Sequence, residues 1–369
     1  MMHRRDFLRS TAAAALASRF PSRLPWPGAA DATLKAKAAA KGILYGSAAS
    51  SLLLQDPPYQ QAFVKECAIL TPEAELKWNG VHQQPNQYNF GPADALLSWC
   101  QSNGIKMRGH TLAFWQSISP WVSRMITPQN ARDILTQHIQ TVVGHYAGKL
   151  HSWDVVNEAI APDDHNPDGI RNSIWQANMG ADYIPLAFNV ARQADPTAML
   201  VYNDFGIEYN FPGIDVRRTA LLNLLHKLVS QNVPVQAFGL QAHLYGNVVQ
   251  RMDTKAMMSF IKSISDMGLK ILITELDVQD KGLPSDPNAR DQAIAQSYGT
   301  FLNAVLSNTN VIVVETWGLS DKYTWLKGHA PRDDGQDVRT LPYDASYQPK
   351  SAIYQAMAQA FDAAPPRTV

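Results

Sequence analysis

A pattern that repeats eight times after residue 40 constrains the fold of this chain most strongly. Each repeat holds a short apolar run, one or two polar residues, a loop, and a segment whose apolar residues are spaced by three and four. This spacing is typical of an amphipathic helix, and a short apolar run is typical of a strand buried on both faces. The eight runs cover residues 43–45, 68–70, 105–107, 152–156, 199–202, 237–240, 271–273 and 311–314.

Strands and helices that alternate in this way predict the α/β class with parallel strands. Eight alternations without a long linker favour a single closed (β/α)8 barrel, the TIM barrel, over an open doubly wound sheet. We expect this barrel to cover residues 31–369, with its core at about residues 43–361.

Side chains that carry chemistry follow seven of the eight runs. Because the active site of such a barrel forms at the carboxyl ends of its strands, we expect these side chains to meet at one rim. They are, in chain order, Glu73 and Lys77, His110, Asn157 and Glu158, Asn203 and Asp204, Gln241 and His243, Glu275 and Asp277, and Glu315 and Trp317.

Glu158 and Glu275 are the candidate catalytic pair. Each follows a buried strand-like run, where a carboxylate is costly unless it is paired or used. Glycosidic cleavage needs one carboxyl that protonates the leaving oxygen and another that attacks or stabilises the anomeric carbon. A separation of about 5 to 5.5 Å would retain the anomeric configuration and one of about 6.5 to 9.5 Å would invert it, so the residues alone leave both outcomes open.

The surroundings suggest which glutamate has which role. His243 precedes Glu275 by one strand, and a hydrogen bond between them would keep Glu275 ionised. The pKa of Glu158 would then be the one that rises, through burial and the nearby negative charge. Asn157 is placed to donate to the sugar 2-hydroxyl, a contact that tightens in the transition state.

Five motifs closely resemble those of glycoside hydrolase family 10, and the resemblance covers residues from about 43 to 361. This family is dominated by retaining endo-β-1,4-xylanases on a (β/α)8 barrel. The motifs are RGHT at residues 108–111, WDVVNE at 153–158, QAH at 241–243, ITELD at 273–277 and WGLSDKYTW at 317–325.

The resemblance implies that Glu158 is the acid/base and Glu275 the nucleophile, with Asn157 and His243 completing the catalytic set. It also implies a retaining endo-β-1,4-xylanase that acts on xylan or its oligosaccharides. The substrate-binding residues that it implies are Glu73, Lys77, His110, Asn157, Gln241, His243, Trp317 and Trp325.

Three departures from the family pattern concern the outer sugar subsites. Ala74 stands where Asn is usual, residues 114–117 replace a Trp-His-Ser-Gln run, and Phe205 with Gly206 replaces Tyr-Asn. Because of these departures, a second function stays possible for the chain, that of a related retaining β-glycosidase that acts on β-glucans, aryl β-xylosides or decorated oligosaccharides. A barrel that binds carbohydrate without catalysis is a further alternative, which the retention of both glutamates opposes.

The charge balance, the missing motifs and the cysteine count argue against a nucleic-acid-binding protein, a metal- or cofactor-dependent enzyme and a disulfide-rich fold. The 32 basic and 32 acidic residues cancel, so neither nucleic acid nor an anionic membrane is favoured as partner. We expect a monomer. Zinc-ligand spacings, a phosphate loop and a dinucleotide fingerprint are missing from the sequence, so no metal and no cofactor are expected. Cys67 and Cys100 cannot form a disulfide framework and are expected to be buried free thiols.

Residues 1–30 resemble a twin-arginine export signal that is removed after export. Arg4 and Arg5 precede an apolar run at residues 11–17, which is too short to span a bilayer. We therefore expect a periplasmic or extracellular mature protein that has no membrane segment once the signal is removed.

Overall fold

A computed structural model of the chain describes residues 32–367. The predicted export signal, with Arg4 and Arg5, lies outside the described residues. None of the helices in the described part is both long and apolar enough to cross a membrane.

Eight parallel strands close into a barrel, as the sequence predicts. They pair in the order β1, β2, β3, β4, β5, β6, β8 and β9; β9 also pairs with β1, and Ala237 of β6 lies opposite Lys270 of β8. A ninth strand, β7, has three residues and pairs with the outer part of β8. The strands are β1 Leu44–Ala49, β2 Ile69–Pro72, β3 Lys106–Ala113, β4 Ser152–Asn157, β5 Met199–Asp204, β6 Ala237–Leu240, β7 His243–Tyr245, β8 Lys270–Gln279 and β9 Val311–Thr316.

Helices fill the connections between the barrel strands and pack on the outside of the barrel. Those in the described part are α1 Leu34–Ala39, α2 Pro57–Glu66, α3 Trp78–Val81, α4 Gly91–Ser102, α5 Pro120–Met125, α6 Ala131–His145, α7 Ile174–Met179, α8 Tyr183–Ala194, α9 Ile214–Ser230, α10 Thr254–Asp266, α11 Pro287–Val305, α12 Leu326–His329 and α13 Ser351–Ala363.

Helix α10 shows how the sequence sets these helices. The Asp253 carboxylate accepts a hydrogen bond from the backbone N–H of Ala256 and so caps the first turn. The buried side chains of α10 recur at spacings of three and four, which places them on one face. They are Met257, Phe260, Ile261 and Ile264. Full burial of such a side chain contributes roughly 1.5–3 kcal/mol.

The barrel wall separates two apolar clusters. A small cluster inside the barrel takes one residue from each of five strands, namely Ile69, Val201, Ala237, Leu272 and Val313. Their sequence neighbours Leu70, Leu200, Phe238, Ile273 and Val314 belong to the large outer core. Successive side chains of a strand point to opposite faces, so this alternation distinguishes the interior of the barrel from the face that the helices cover.

Both cysteines are buried free thiols, as predicted. Cys100 lies in α4, whereas Cys67 is the residue directly after the end of α2. Burial raises the pKa of the Cys100 thiol to about 12, and burial next to Glu66 raises the pKa of Cys67 as well. Neither thiol is therefore reactive near neutral pH.

Candidate active site

A cavity of about 390 Å³ opens at the carboxyl ends of the strands and contains both candidate glutamates. Nine of the ten predicted site residues line it, namely Lys77, His110, Asn157, Glu158, Gln241, His243, Glu275, Trp317 and Trp325. Glu73 is not among the lining residues. Burial, with the negative charge of Glu75, raises the pKa of the Glu73 carboxyl to about 7.

Glu275 lies near the middle of β8 and is 5% exposed. Its Oε1 accepts a hydrogen bond from Asn203 Nδ2 at 2.8 Å, and His243 Nε2 lies 3.2 Å from its Oε2. Burial alone would raise the pKa of Glu275, but the hydrogen bond from His243 and the nearby histidine and lysine side chains lower it to about 2. This carboxyl is therefore ionised across the working range of most enzymes.

His243 stands between two carboxylates. Its Nδ1 lies 2.9 Å from Asp277 Oδ1, and its Nε2 faces Glu275. Burial alone would lower the pKa of His243, but the Asp277 and Glu275 carboxylates raise it well above its ordinary value. Because both ring nitrogens face carboxylate oxygens, both are donors and the ring is an imidazolium. Asp277 is held from its other side by Trp325, whose indole N–H donates to Oδ2 at 2.7 Å.

The backbone explains how His243 reaches this position. Ala242 has a φ of +63°, in the left-handed region, between the end of β6 and the start of β7. The chain turns there and β7 pairs with the outer part of β8, where His243 lies opposite Asp277. A left-handed conformation at a non-glycine residue costs about 1–3 kcal/mol and persists only where the surroundings impose it.

Glu158 receives three side-chain hydrogen bonds. Trp115 Nε1 donates to Oε2 at 2.8 Å, and Gln241 Nε2 and Asn157 Nδ2 donate to Oε1 at 3.0 and 3.2 Å. Burial raises the pKa of Glu158, and the negative charges of Asp204 and Glu275 raise it further. The hydrogen bonds from Gln241 and Trp115 lower the pKa, but the net shift is upward. The pKa values of the two catalytic candidates therefore shift in opposite directions.

The backbone of Glu158 is also fixed. Its φ is +57°, just past the end of β4. Its N–H donates to the Asn203 carbonyl at 2.8 Å, and its own carbonyl accepts from Arg171 Nε at 2.7 Å. The same guanidinium lies 4.6 Å from the Trp115 ring centroid, so Arg171 supports both the backbone and one side-chain partner of Glu158.

A continuous chain of amides joins the two glutamates. Asn203 Nδ2 donates to Asn157 Oδ1 and to Glu275 Oε1, both at 2.8 Å. Gln241 Nε2 donates to Asn157 Oδ1 at 3.3 Å and to Glu158 Oε1 at 3.0 Å. Each amide nitrogen has two hydrogens, and both are used in this chain. Movement of either carboxyl thus disturbs the other.

The sequence assigns no role to two residues of this arrangement, Asn203 and Trp115. Asn203 follows the fifth run and is part of the expected rim, but its contact with Glu275 is a tertiary one. Trp115 lies in the segment that departs from the family pattern, yet it is a direct partner of Glu158. Both contacts depend on the lengths of the strands and loops, and a sequence gives these lengths only approximately.

A buried ionic network inside the barrel positions His110. His110 Nδ1 lies 2.9 Å from Asp154 Oδ2, and Arg108 bonds both Asp154 and Glu315, the latter at 2.9 Å. All four side chains are at most 2% exposed. Glu315 accepts from the Thr71 hydroxyl at 3.0 Å and is not among the residues that line the cavity, although its place after the eighth run predicted a rim position. The Asp154 contact leaves the Nε2 of His110 available to a ligand.

Within residues 32–367, no group of three or more His, Cys, Asp or Glu side chains is arranged to hold a metal ion. Two carboxylates of the cavity, Glu275 and Asp277, are instead paired with the His243 ring. The chemistry that this arrangement supports is proton transfer and nucleophilic attack by carboxyl groups.

Comparison with known proteins gives one consistent result. The model of the family described as glycosyl hydrolase family 10 matches residues 33–360. A β-1,4-xylanase of Dictyoglomus thermophilum is 32% identical over 305 residues, which are 80% of this chain and 83% of the relative. Endo-1,4-beta-xylanase B of Thermotoga neapolitana is 30% identical over 333 residues, which are 89% of this chain and 91% of the relative.

Solved structures agree with the sequence relatives. Native xylanase 10B from Thermotoga maritima superimposes with a TM-score of 0.80 at 29% identity, over 89% of this chain and 98% of that chain. Xylanase 10B from Thermotoga petrophila RKU-1, in complex with xylobiose, has a TM-score of 0.80 and 29% identity, over 89% of this chain and 97% of that chain.

Proposed function

The chain belongs to glycosyl hydrolase family 10, and from this premise we propose that it is an endo-β-1,4-xylanase that cleaves xylan with retention of the anomeric configuration. The observation that carries the proposal is the pair of opposed pKa shifts in one cavity. Glu275 is held ionised and Glu158 is held closer to its protonated form. Cleavage of a glycosidic bond requires one protonated and one ionised carboxyl at its start, and the resemblance to the family implies the retaining route, double displacement.

In the first step, Glu275 attacks the anomeric carbon while Glu158 gives its proton to the leaving oxygen. A covalent glycosyl-enzyme forms and the leaving sugar departs as an alcohol. In the second step, Glu158, now ionised, takes a proton from water, and the water oxygen displaces Glu275. His243 offsets part of the negative charge of Glu275 before the attack, because its imidazolium lies beside Oε2.

The remaining cavity residues would hold the sugar at the cleavage point. Lys77, His110, Asn157 and Gln241 offer polar groups, and Trp317 and Trp325 provide flat walls. Lys77 Nζ lies 5.7 Å from the centroid of the Trp317 ring, and that ring meets His110 edge to face. Xylose lacks the exocyclic hydroxymethyl group of glucose, so bulky tryptophan walls would exclude glucose units by steric clash.

The test is the release of reducing sugar from xylan by the wild type and by Glu158→Gln and Glu275→Gln, which keep side-chain volume. We expect activity in the wild type and a loss of at least 100-fold in each variant, on the order of one general acid or nucleophile. Loss of the acid spares substrates whose leaving group needs no proton, so Glu158→Gln should keep most of its first-step rate on an activated aryl xyloside. Full xylan activity in both variants would refute the assignment.

A related retaining β-glycosidase with another substrate is the second candidate, and two departures from the family pattern favour it. Ala74 is exposed and offers no amide where the family usually has Asn, and Phe205 lines the cavity where the family usually has Tyr. A panel of xylan, a β-1,4-glucan, aryl β-xylosides and branched xylo-oligosaccharides separates the candidates. The highest kcat/KM on linear xylan supports the xylanase.

A further inference from the structure

Many polar groups of the cavity are already hydrogen-bonded to each other. Among residues 32–367, the Lys77 and Gln116 side chains have no such partner, and neither do three side chains on another part of the rim. His329, Gln279 and Tyr245 all line the cavity, and no hydrogen-bond partner for their side-chain polar groups occurs among residues 32–367. We call these three residues the rim patch. By contrast, the Asp277 and Trp325 side chains beside them are bonded to each other at 2.7 Å.

Strand register directs two of the three side chains into the cavity. Tyr245 of β7 lies opposite Gln279 of β8, two residues beyond the pair formed by His243 and Asp277. Residues two apart on a strand point to the same face. Tyr245 and Gln279 therefore extend outward the face of the sheet that holds the imidazolium beside Glu275.

Contacts to the catalytic machinery position the third side chain. The indole of Trp325 is fixed by its hydrogen bond to Asp277 and lies against the ring of His243, with centroids 5.1 Å apart. The ring of His329 stacks on the indole of Trp325, with the two ring centroids 4.4 Å apart and the planes inclined by 25°. The imidazole is exposed to solvent, and both of its ring nitrogens are free of described partners.

The chemistry of the rim patch suits one class of ligand. An imidazole, an amide and a phenol together offer hydrogen-bond donors and acceptors, which is the combination that the hydroxyl groups of a sugar ring require. The patch holds no lysine or arginine, so it lacks the fixed positive charge that recognition of a carboxylate or phosphate uses.

We infer that the rim patch binds the hydroxyl groups of a neutral sugar ring next to the cleavage point and is a determinant of substrate specificity. This inference rests on the proposed function. The ring has two possible sources, a sugar of the main chain or a neutral pentose branch, and both present the same hydroxyl chemistry.

The experiment compares His329→Ala, His329→Gln and Gln279→Ala with the wild type on linear xylotetraose and on xylotetraose with one arabinosyl branch. His226→Ala is the matched control, because His226 is an exposed histidine on α9 away from the cavity. One hydrogen bond to a neutral group is worth about 2- to 12-fold in kcat/KM, so we expect a loss of this size in each alanine variant. Since the contact is the same in ground and transition states, KM should rise while kcat stays within twofold.

The two substrates distinguish the sources. Equal losses on both oligosaccharides assign the patch to a main-chain sugar, and a loss confined to the branched one assigns it to the branch. His329→Gln keeps a donor and an acceptor and should recover part of the loss, which a purely structural role of the ring would not explain. Alanine variants within twofold of the wild type on both substrates would overturn the inference.

Failure of the proposed function gives a different result. If the wild type releases no sugar, the xylanase proposal fails, and the patch is judged by calorimetric binding of the same two oligosaccharides. Binding by the wild type that weakens 2- to 12-fold in His329→Ala supports the patch. Absence of binding by the wild type overturns it.

Discussion

His243 Nε2 lies 3.2 Å from Glu275 Oε2, while the other nitrogen of the same ring lies 2.9 Å from Asp277 Oδ1. One partly exposed cation thus faces two buried carboxylates. The arrangement lowers the pKa of Glu275 and raises that of His243, so each group keeps the other charged. The donors to the Glu158 carboxyl are the uncharged side chains of Trp115, Gln241 and Asn157, and burial raises the pKa of Glu158.

The first prediction concerns His243→Asn. Without the imidazolium, the pKa of Glu275 should rise from about 2 towards its ordinary value, because the hydrogen bond and charge of His243 no longer oppose burial, while the His110 and Lys77 side chains still lower it. The ascending acid limb of kcat/KM against pH should move to higher pH, and the exposed variant His226→Asn should not move it. An acid limb at its wild-type position would show that another group holds Glu275 ionised.

The same pair has consequences for stability. A carboxyl with a depressed pKa contributes stability that is present above its unfolded pKa and is lost as pH falls through the folded pKa. For Glu275, whose folded pKa is about 2, this loss lies below the ordinary pKa of a glutamate. His243 has a raised pKa, so its contribution is complete below the unfolded pKa and is lost as pH rises through the folded value. We expect the free energies of unfolding of the wild type and of His243→Asn, measured in urea across a range of pH, to converge at high pH.

The second prediction concerns the basic limb of the activity profile. The proposed mechanism requires a protonated Glu158, and the raised pKa of Glu158 places the descending limb above the ordinary pKa of a glutamate. In Glu158→Gln this limb should disappear for an aryl xyloside with an activated leaving group. A descending limb that persists in the variant would assign the acid role to another residue.

The third prediction concerns Asn203→Ala. This change removes the donor that both Glu275 and Asn157 share, and hydrogen bonds to charged groups are worth about 1.5–3 kcal/mol. We expect kcat/KM on xylotetraose to fall by roughly 10- to 150-fold, mainly through kcat. Asn223→Ala is the matched control, because Asn223 is an exposed amide on α9. A loss confined to KM would mean that Asn203 serves only binding.

The fourth prediction concerns the buried network below the site. Glu315→Leu would leave the Arg108 guanidinium with one of its two carboxylate partners, in a position that is not exposed. Removal of one member of a buried ion pair costs about 3–5 kcal/mol of unfolding free energy. The exposed pair of Lys262 and Asp266 is the comparison, and Lys262→Ala should cost about 0.3–0.5 kcal/mol. Equal effects of the two changes in urea unfolding would contradict the role of the network.

The fifth prediction concerns export. Arg4→Lys together with Arg5→Lys should keep the protein inside the cells that make it, if residues 1–30 act as a twin-arginine signal. The measurement is the distribution of xylan-degrading activity between cell fractions, with Arg9→Lys as the control for a change outside the twin pair. Undiminished export of the double variant would refute this route.

The sequence predicts the barrel because the strand signal is local. Each apolar run from residue 43 to residue 314 lies in or directly overlaps an observed strand. The apolar pattern does not predict the carboxyl end of β8. The strand continues through Glu275 and Asp277 to Gln279, and these acidic residues interrupt the pattern. Tertiary pairing with β7 and β9 stabilises that extension, and a local pattern contains no information on it.

The site was predictable where its residues closely follow the apolar runs of the sequence. Glu158, Glu275 and His243 come together because strand ends of a closed barrel share one rim. Trp115 reaches Glu158 from a loop, and His329 reaches the cavity from the four-residue helix α12, so their positions depend on loop geometry. Glu73 shows the converse, because it follows a strand but does not line the cavity.

We propose that Glu275 is the nucleophile and Glu158 the acid/base. The most direct measurement is mass spectrometry of peptides after reaction with a 2-fluoro xyloside that carries an activated leaving group, because the fluorine slows release of the covalent intermediate. We predict a single glycosylated peptide with the sugar on Glu275. A sugar on Glu158, or products of inverted configuration with no labelled peptide, would contradict the claim.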